Sequence, residues 1–390
     1  MNSYLIVSTY PPRKCGIANF SKDLRDSLLS YRPRVLLAAL DDLFQNYDYP
    51  PEVVWRIKQE NKADYKACAH WANQEAGVDM IIIQHEYGIF GGPDGEYIME
   101  LARSLNKPFL LVTHTVLPRP SVRQHEILSH LAGLAAGVLC MTQRSARLLS
   151  QIYQVRAERI YVVPHGVPDL SRKNRELLKK QHSWEKRKII TTFGLIGPGK
   201  GLEIGLKALA GLVEKYPQLL YLIVGATHPV LLRNEGERYR ESIMQLVRDL
   251  KLEEHVVFDN RYLGDEELAD YLYLSDIYLS PYPNLDQAVS GTLAFAAGTG
   301  RAIISTPYEY ARELLEGGRG LLAEKPTAEA LSVLLDCLLG NPSLQEELER
   351  KTAEISASLS WSSVAGLYHK ISMEILETLK TGELIFIKEP

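Results

Sequence analysis

Four glycines and a lysine stand together in the stretch GLIGPGKG (residues 194–201), between an apolar run and a helical pattern. Glycine lets the backbone approach a diphosphate closely, and the following helix N-terminus adds partial positive charge to that of Lys200. The spacing is not that of a P-loop, and no Ser or Thr follows the lysine. We predict a phosphate-binding turn that uses Gly194, Gly197 and Lys200. The alternative is a solvated lysine at a helix start.

A second candidate phosphate site lies in PYPNLDQAVSGT (residues 281–292), where Ser290, Gly291 and Thr292 open a helical pattern. Unpaired N–H groups at a helix N-terminus bind anions, and the two hydroxyl groups can assist them. Ser290 alone would be read as an N-cap. With Asp286 four residues upstream, the run is more typical of a site.

Polar residues also follow two apolar runs in the first half of the chain. His85 and Glu86 come after the run at 80–84 and lead into a loop that contains Gly91 and Gly92, and His114 comes directly after the run at 109–113. Neighbouring histidine and glutamate side chains can hydrogen-bond sugar hydroxyl groups. We therefore predict a sugar-binding region, against the alternative that each histidine has a structural role.

Short continuous apolar runs alternate with helical patterns along the chain, as in parallel sheets with helices on both faces. We predict strands at 4–8, 80–84, 109–113, 137–141 and 160–164, and a second series at 188–194, 220–225, 255–260, 277–281 and 301–306. Ligands of such sheets bind beyond the carboxyl ends of the strands. Gly16 follows the first strand and begins a helix whose N–H groups can face an anion or a sugar, although a tight turn explains it equally well.

Two α/β domains of similar size follow from this doubling. We predict an N-terminal Rossmann-like domain at 1–170, a charged linker at 171–187, a C-terminal Rossmann-like domain at 188–358, and a helix at 359–390 that packs back on the first domain.

Composition excludes several functional classes. The 390 residues carry a net charge of −4, so no overall positive field attracts nucleic acid. The four cysteines form no CxxC pair, which indicates a reducing cytoplasm without a zinc or disulfide framework. No apolar run approaches the ~20 residues of a transmembrane helix, which leaves a peripheral membrane contact open.

The ordered set of these motifs resembles the glycosyltransferase family 4 enzymes. The glycine-bearing loop after the first strand, the THT segment with His114, the VVPHGVPD turn, the GLIGPGKG loop and the terminal SW helix resemble family motifs in the same order. The resemblance covers nearly the whole chain. It implies a GT-B fold, in which two doubly wound Rossmann-like domains face each other across a cleft.

The resemblance also implies an activity. A retaining, metal-independent glycosyltransferase would move a hexose such as mannose from a GDP- or UDP-linked donor, without a further cofactor, to a glycan or small-molecule acceptor. His114, Lys200 and Asp286 would be catalytic. The donor would lie on Gly194, Gly197, Lys200, Arg261 and the 290–292 run, and the acceptor on Gly16, His85, Glu86, Gly91 and Gly92.

Three departures from the family pattern stand out. Leu195 replaces an arginine of the diphosphate loop, and Asp286 and Ala294 replace two glutamates, of which the second holds the nucleotide ribose. Arg261 or the SGT amides are candidates to substitute for the arginine. A non-catalytic glycan-binding or regulatory relative therefore stays open beside the enzyme. A phosphorylase or a nucleotide-sugar epimerase is a third alternative.

Overall fold

The computed structural model describes residues 3–42, 46–169 and 171–381. The chain divides into two compact units, one up to Gly166 together with the last helix, and one from Val167 to Ser360. Each unit is an α/β sheet whose strand pairs are all parallel in the described residues. The prediction of two doubly wound α/β units is confirmed. No helix among the described residues is long and apolar enough to span a bilayer.

The first unit contains a seven-stranded sheet in the order β3-β2-β1-β4-β5-β6-β7. Its strands are β1 (Tyr4–Ser8), β2 (Val35–Asp41), β3 (Val53–Lys58), β4 (Met80–His85), β5 (Phe109–Thr113), β6 (Gly137–Cys140) and β7 (Ile160–Val162). Its helices are α1 (Gly16–Leu28), α2 (Lys62–Gln74), α3 (Ile98–Ser104), α4 (Val122–Leu134), α5 (Gln143–Gln151) and the last helix of the chain, α15 (Trp361–Thr381).

The second unit contains a six-stranded sheet in the order β10-β9-β8-β11-β12-β13. Its strands are β8 (Lys188–Phe193), β9 (Leu219–Val224), β10 (Val256–Asp259), β11 (Ile277–Ser280), β12 (Ala302–Ser305) and β13 (Leu321–Leu322). Its helices are α6 (Arg175–Gln181), α7 (Leu202–Ala210), α8 (Pro229–Glu235), α9 (Arg238–Asp249), α10 (Asp265–Leu274), α11 (Gly291–Gly298), α12 (Glu309–Leu314), α13 (Ala328–Leu339) and α14 (Pro342–Leu359).

Both faces of each sheet are buried. Ile189 and Ile190 are neighbours on β8, and they belong to two separate apolar clusters on opposite faces of the second sheet. In the first unit, one large cluster covers one face, and α1 and α15 pack together beside β1, where the Tyr4 Oη lies 2.9 Å from the His369 Nδ1. This burial explains why the strands read as continuous apolar runs.

The strand order reverses once in each sheet, between β1 and β4 in the first and between β8 and β11 in the second. Connections diverge to opposite faces at such a point and leave a crevice beyond the carboxyl ends of the two strands, where open α/β sheets bind ligands. The candidate ligand-binding residues are therefore those that follow β1, β4, β8 and β11.

Several elements differ from the sequence expectations. β2 and β3 were not predicted, because VLLAALD is rich in Leu and Ala and the edge strand β3 alternates buried and exposed residues. The 171–187 segment, predicted as a linker, contains α6 and groups with the second unit. Residues 382–390 of the predicted terminal helix lie outside the described residues.

The charged segment at 171–187 folds onto the second unit through a buried ion pair. The Lys179 Nζ lies 2.8 Å from the Asp276 Oδ2, and both residues are 4% exposed. The same Oδ2 accepts a hydrogen bond of 2.7 Å from the Ile189 N–H at the start of the central strand β8. A segment that looks fully solvated in sequence thus supplies a cation to the interior.

Substitution Lys179→Met should lower the free energy of urea unfolding by about 3 kcal/mol, because it leaves a buried carboxylate without its closest cation. We expect a value at the low end of the range for broken buried ion pairs because Lys188, at 3.4 Å from Asp276, still partly compensates the carboxylate. The control is Lys215→Met, which breaks the exposed pair with Asp336 and should cost less than about 1 kcal/mol. Equal losses in the two variants would contradict a buried anchor.

Candidate active site

The loop between β8 and α7 has the geometry of a phosphate cradle. Gly194 has a φ of 123°, which favours glycine, and a Cβ there would lie 2.8 Å from the Lys200 Nζ and 3.0 Å from the Thr292 Cγ2. A side chain at this position would therefore fill the space between Lys200 and the start of α11. The structure brings together Gly194, Lys200 and Thr292, three of the predicted donor residues.

Lys200 is oriented by a tyrosine that the sequence analysis did not single out. The Lys200 Nζ donates a hydrogen bond of 2.5 Å to the Tyr282 Oη and lies 4.7 Å from the centre of the Tyr282 ring. The Tyr282 Oη is in turn 2.7 Å from the Thr292 Oγ1, which is 3.1 Å from the Ser290 Oγ. This chain of polar groups joins the loop after β8 to the start of α11.

The electrostatics of Tyr282 reflect this position. Burial by itself opposes ionisation of the phenol, but the Lys200 ammonium and the hydrogen bonds from Lys200, Thr292 and Ser290 outweigh it. The pKa of Tyr282 is consequently lowered from its ordinary value of 10.0. Lys200 and the two hydroxyl groups stabilise negative charge on the Tyr282 oxygen, and the same groups can stabilise negative charge on a phosphate oxygen.

Helix α11 presents its N-terminus to the same cluster. The Ser290 Oγ accepts a hydrogen bond of 3.2 Å from the Leu293 N–H. Ser290 is therefore the N-cap of α11, which was the alternative to a binding role in the sequence analysis. Within the described residues, the N–H groups of Gly291 and Thr292 have no hydrogen-bond acceptor, as expected in a first helical turn. These two amides and the helix dipole add partial positive charge beside Lys200.

A buried arginine contacts the segment that pairs with the loop between β8 and α7. Arg240 is 5% exposed, and it donates to the Thr227 Oγ1 at 3.1 Å and to the Gly225 carbonyl at 2.9 Å. Thr227 forms an isolated β-bridge with Ile196 of the loop. Arg240 is therefore linked to the loop through Thr227, because it bonds the Thr227 side chain and Thr227 pairs with Ile196.

Four other positions that the sequence analysis named in the second half of the chain have no contact with the Lys200 side chain among the interactions described above. Arg261, at the end of β10, is bonded to two carboxylates, Asp259 at 2.7 Å and Glu267 at 3.1 Å. Asp286 is exposed in the loop before α11, with its N–H bonded to the Asn284 Oδ1. The remaining two are packed in the unit, since Gly197 is buried against Leu231 and Ala294 lies in the apolar cluster.

In the first unit, His114 lies at the centre of a buried cluster beyond β4 and β5. The His114 Nε2 is 2.8 Å from the Gln84 Oε1, and the Phe20 ring packs edge-on against the imidazole at 4.7 Å between centroids. Phe20 also contacts the rings of His165 and Trp361. Gly166 next to His165 leaves room for Trp361, because a Cβ there would lie 2.3 Å from that indole ring.

Three histidines of this unit, the buried His85 and His114 and the half-buried His165, have lowered pKa values and are neutral at physiological pH. Burial, followed by the effects of His165 and His85, lowers the pKa of His114 to about 3. Burial lowers the pKa of His85 to about 4. His165 reaches about 4 for the same reason, although the bond from its ring to the Gly166 carbonyl opposes the shift. The cluster therefore offers hydrogen bonds rather than positive charge.

His85 and Glu86 are both at the carboxyl end of β4, but they differ in their partners. His85 is fully buried, and within the described residues both ring nitrogens lack hydrogen-bond partners. The Glu86 carboxylate accepts from the Thr115 hydroxyl at 2.6 Å and from the Tyr87 N–H at 3.0 Å. Burial raises the pKa of Glu86 despite these two bonds.

The three glycines predicted on the acceptor side have different surroundings. Gly16 is exposed at the first turn of α1, and a Cβ there would meet no atom within 4 Å, so the start of this helix is open. Gly91 is buried, its N–H is bonded to the Tyr65 Oη at 2.9 Å, and a Cβ would lie 1.9 Å from the Gln59 carbonyl oxygen. Gly92 has a φ of 77° beside Tyr97. Gly91 and Gly92 thus form a packed turn.

Sequence reasoning missed Gln84, Phe20, Tyr282 and Arg240, which contact or support the predicted residues. Gln84 had a detectable signal, because it is a polar residue that ends an apolar strand run. Tyr282 and Arg240 had none, since their roles depend on contacts across 82 and 13 residues of sequence. Across 3–42, 46–169 and 171–381, no group of three or more His, Cys, Asp or Glu could hold a metal ion.

A family model described as "Glycosyl transferases group 1" matches residues 174–355, which include the loop between β8 and α7 and helix α11. A phosphatidyl-myo-inositol mannosyltransferase of Mycobacterium leprae (strain TN) is 30% identical over 191 residues. This match covers 47% of the chain and 45% of the relative, so the chain aligns with less than half the length of that protein.

Solved structures match nearly the whole chain. A glycosyltransferase from Rickettsia africae ESF-5 has a TM-score of 0.76 and 17% identity, with 96% of this chain and 99% of that chain covered. Anabaena Alr3699/HepE, in complex with UDP and glucose, has a TM-score of 0.74 and 17% identity, with 97% and 100% covered. The chain therefore has the GT-B fold, and its residues 174–355 match the model of the glycosyl transferases group 1 family.

Proposed function

We propose that this chain is a retaining glycosyltransferase that moves a hexose from a nucleotide-diphosphate sugar to a hydroxyl group of a glycan or small-molecule acceptor. The observation that carries the proposal is the cluster of Lys200, Tyr282 and Thr292 at the N-terminus of α11. It lies inside the segment that matches the family model. A diphosphate is the ligand that such a combination of ammonium, hydroxyl and amide groups suits.

The donor is a UDP- or GDP-linked sugar in this proposal. UDP is supported by the Anabaena neighbour, whose structure contains UDP and glucose. Mannose as the transferred hexose is supported by the name of the Mycobacterium leprae relative. The two lines of support concern different proteins, and the nucleotide experiment below decides between the bases.

Charge development on the leaving group explains the role of the second unit. As the bond between the sugar and the diphosphate breaks, negative charge accumulates on the phosphate oxygens. Lys200 and the N–H groups of Gly291 and Thr292 would interact more strongly with that charge than with the intact donor, and this difference lowers the barrier. We propose that these groups carry out the charge stabilisation without a divalent cation.

The first unit would bind the sugar and the acceptor through hydrogen-bonding groups that carry no positive charge. His114 would face the transferred sugar, and Glu86 with the open start of α1 at Gly16 would contact acceptor hydroxyl groups. Hydrogen bonds to a site with neutral imidazoles suit uncharged sugar hydroxyls.

A glycan-binding protein that has lost the donor site is the second candidate. It is favoured by Leu195 in place of a family arginine and by Ala294, which is fully buried and has no polar atom for a ribose. Binding of a nucleoside diphosphate distinguishes the two candidates.

Thermal unfolding should report the donor. One nucleoside diphosphate, from a panel of UDP, GDP, ADP and CDP at about 100 times its Kd, should raise the Tm by roughly 3–7 °C, because ligand at that excess adds about 2.7 kcal/mol. The matching nucleoside monophosphate, which lacks the second phosphate, is the control and should shift the Tm less. No shift with any nucleotide favours the glycan-binding candidate.

Substitution Lys200→Ala should weaken binding of that nucleoside diphosphate by roughly 10- to 150-fold in calorimetry, because one charge-assisted hydrogen bond is worth about 1.5–3 kcal/mol. The matched control is Lys207→Ala, which removes an exposed lysine from the following helix α7 and should leave Kd unchanged. Unchanged affinity in the Lys200 variant would remove this residue from the donor site.

Substitution His114→Ala should lower kcat by roughly 100-fold, with donor Kd changed less than about 3-fold, because the side chain would act on the transferring sugar rather than on the diphosphate. His70→Ala, at an exposed histidine of α2, is the control for the loss of an imidazole. Equal losses in kcat and donor affinity would speak against this placement.

A further inference from the structure

The His114 imidazole has one hydrogen-bonding partner for its ring among the described residues, and that partner is Gln84. The Gln84 Oε1 faces the His114 Nε2 at 2.8 Å. With the amide oxygen toward the ring, as in this structure, the nitrogen opposite it carries the proton. In a neutral imidazole the other nitrogen, Nδ1, then carries a lone pair. The reversed amide would instead donate to Nε2 and place the proton on Nδ1.

Two features limit His114 to a choice between the two neutral tautomers. Phe20 packs edge-on against the ring, and the His114 backbone N–H is bonded to the His85 carbonyl at 3.0 Å, so the ring and its strand end are held in place. Burial keeps the pKa of His114 near 3, well below neutral pH. The group opposite Nε2 therefore decides what the rest of the ring offers to a ligand.

Burial of the Gln84 side chain lowers the stability of the folded protein. It is fully buried, and its Nε2 donor lacks a partner among the described residues. Leaving a buried donor unpaired costs about 1–3 kcal/mol, and an apolar side chain of similar shape would avoid that cost. The bond to His114 is the contact in the structure that accounts for a glutamine here.

We propose that Gln84 is a positioning residue that holds His114 in the Nε2–H tautomer, so that Nδ1 accepts a hydrogen bond from a hydroxyl group of the transferred sugar. The role of Nδ1 toward the sugar rests on the proposed glycosyltransferase function. The tautomer itself does not, because it depends only on the orientation of the Gln84 amide against the ring.

The tautomer can be read from ¹⁵N-histidine NMR of the full chain, with the His114 signals assigned by their absence in His114→Ala. In the unsubstituted protein, Nε2 should have the shift of a protonated ring nitrogen and Nδ1 that of an unprotonated one. Gln84→Met, which keeps the length of the side chain but removes the acceptor, should populate the Nδ1–H form. Gln84→Glu keeps an acceptor oxygen and should retain the proton on Nε2.

Activity supplies the second measurement. With the donor identified by the nucleotide panel, Gln84→Met should lower kcat by about 10-fold or more while donor KM changes less than about 3-fold, since the sugar loses its acceptor but the diphosphate site is intact. Gln345→Met is the matched control: it replaces another buried glutamine, in the second unit, and should change neither the tautomer nor kcat.

Two results would overturn the proposal. The first is a proton on Nδ1 in the unsubstituted protein. The second is a Gln84→Met variant with the same tautomer and the same kcat as the Gln345→Met control. If the chain proves not to be a glycosyltransferase, the NMR result still decides whether Gln84 sets the tautomer, so the two failures are distinguishable.

Discussion

Burial of both faces of two parallel sheets is the constraint on which the rest of this molecule depends. Strands whose neighbouring residues point into separate apolar clusters, as Ile189 and Ile190 do, leave no sheet face for polar chemistry. Polar groups are then confined to the strand ends, where parallel strands bring residues from distant parts of the sequence to one edge. The reversal in strand order next to β8 and next to β4 determines which of those ends lie beside an opening.

The two units apply this constraint with different chemistry. In the second unit, Lys200 is held by the Tyr282 hydroxyl before any ligand arrives, so little side-chain entropy remains to be lost when a phosphate binds. In the first unit, His114 is held by an amide and an aromatic ring, and burial keeps it neutral. One unit therefore presents fixed positive charge, and the other presents oriented but uncharged hydrogen-bonding groups.

Much of the fold was predictable, because buried parallel strands appear as continuous apolar runs and because the pattern restarts near residue 188. The prediction failed to find β2 and β3, whose residues lack that signature, and it read 171–187 as a linker because charge alone does not reveal a buried partner such as Asp276. Position after a strand singled out the candidates Lys200 and His114, whose roles stay predictions. Tyr282 and Arg240 were not singled out, since their contacts join segments that only the folded sheet brings together.

The neutral state of His85, His114 and His165 has a consequence for how the protein responds to dissolved salt. Attraction between an ammonium group and a polyanion weakens as dissolved ions screen it, over a Debye length of about 8 Å at physiological ionic strength. Uncharged imidazoles have no such sensitivity. Under the proposed function, added electrolyte should therefore weaken binding of a phosphorylated ligand at Lys200, while binding of an uncharged sugar at His114 should change little.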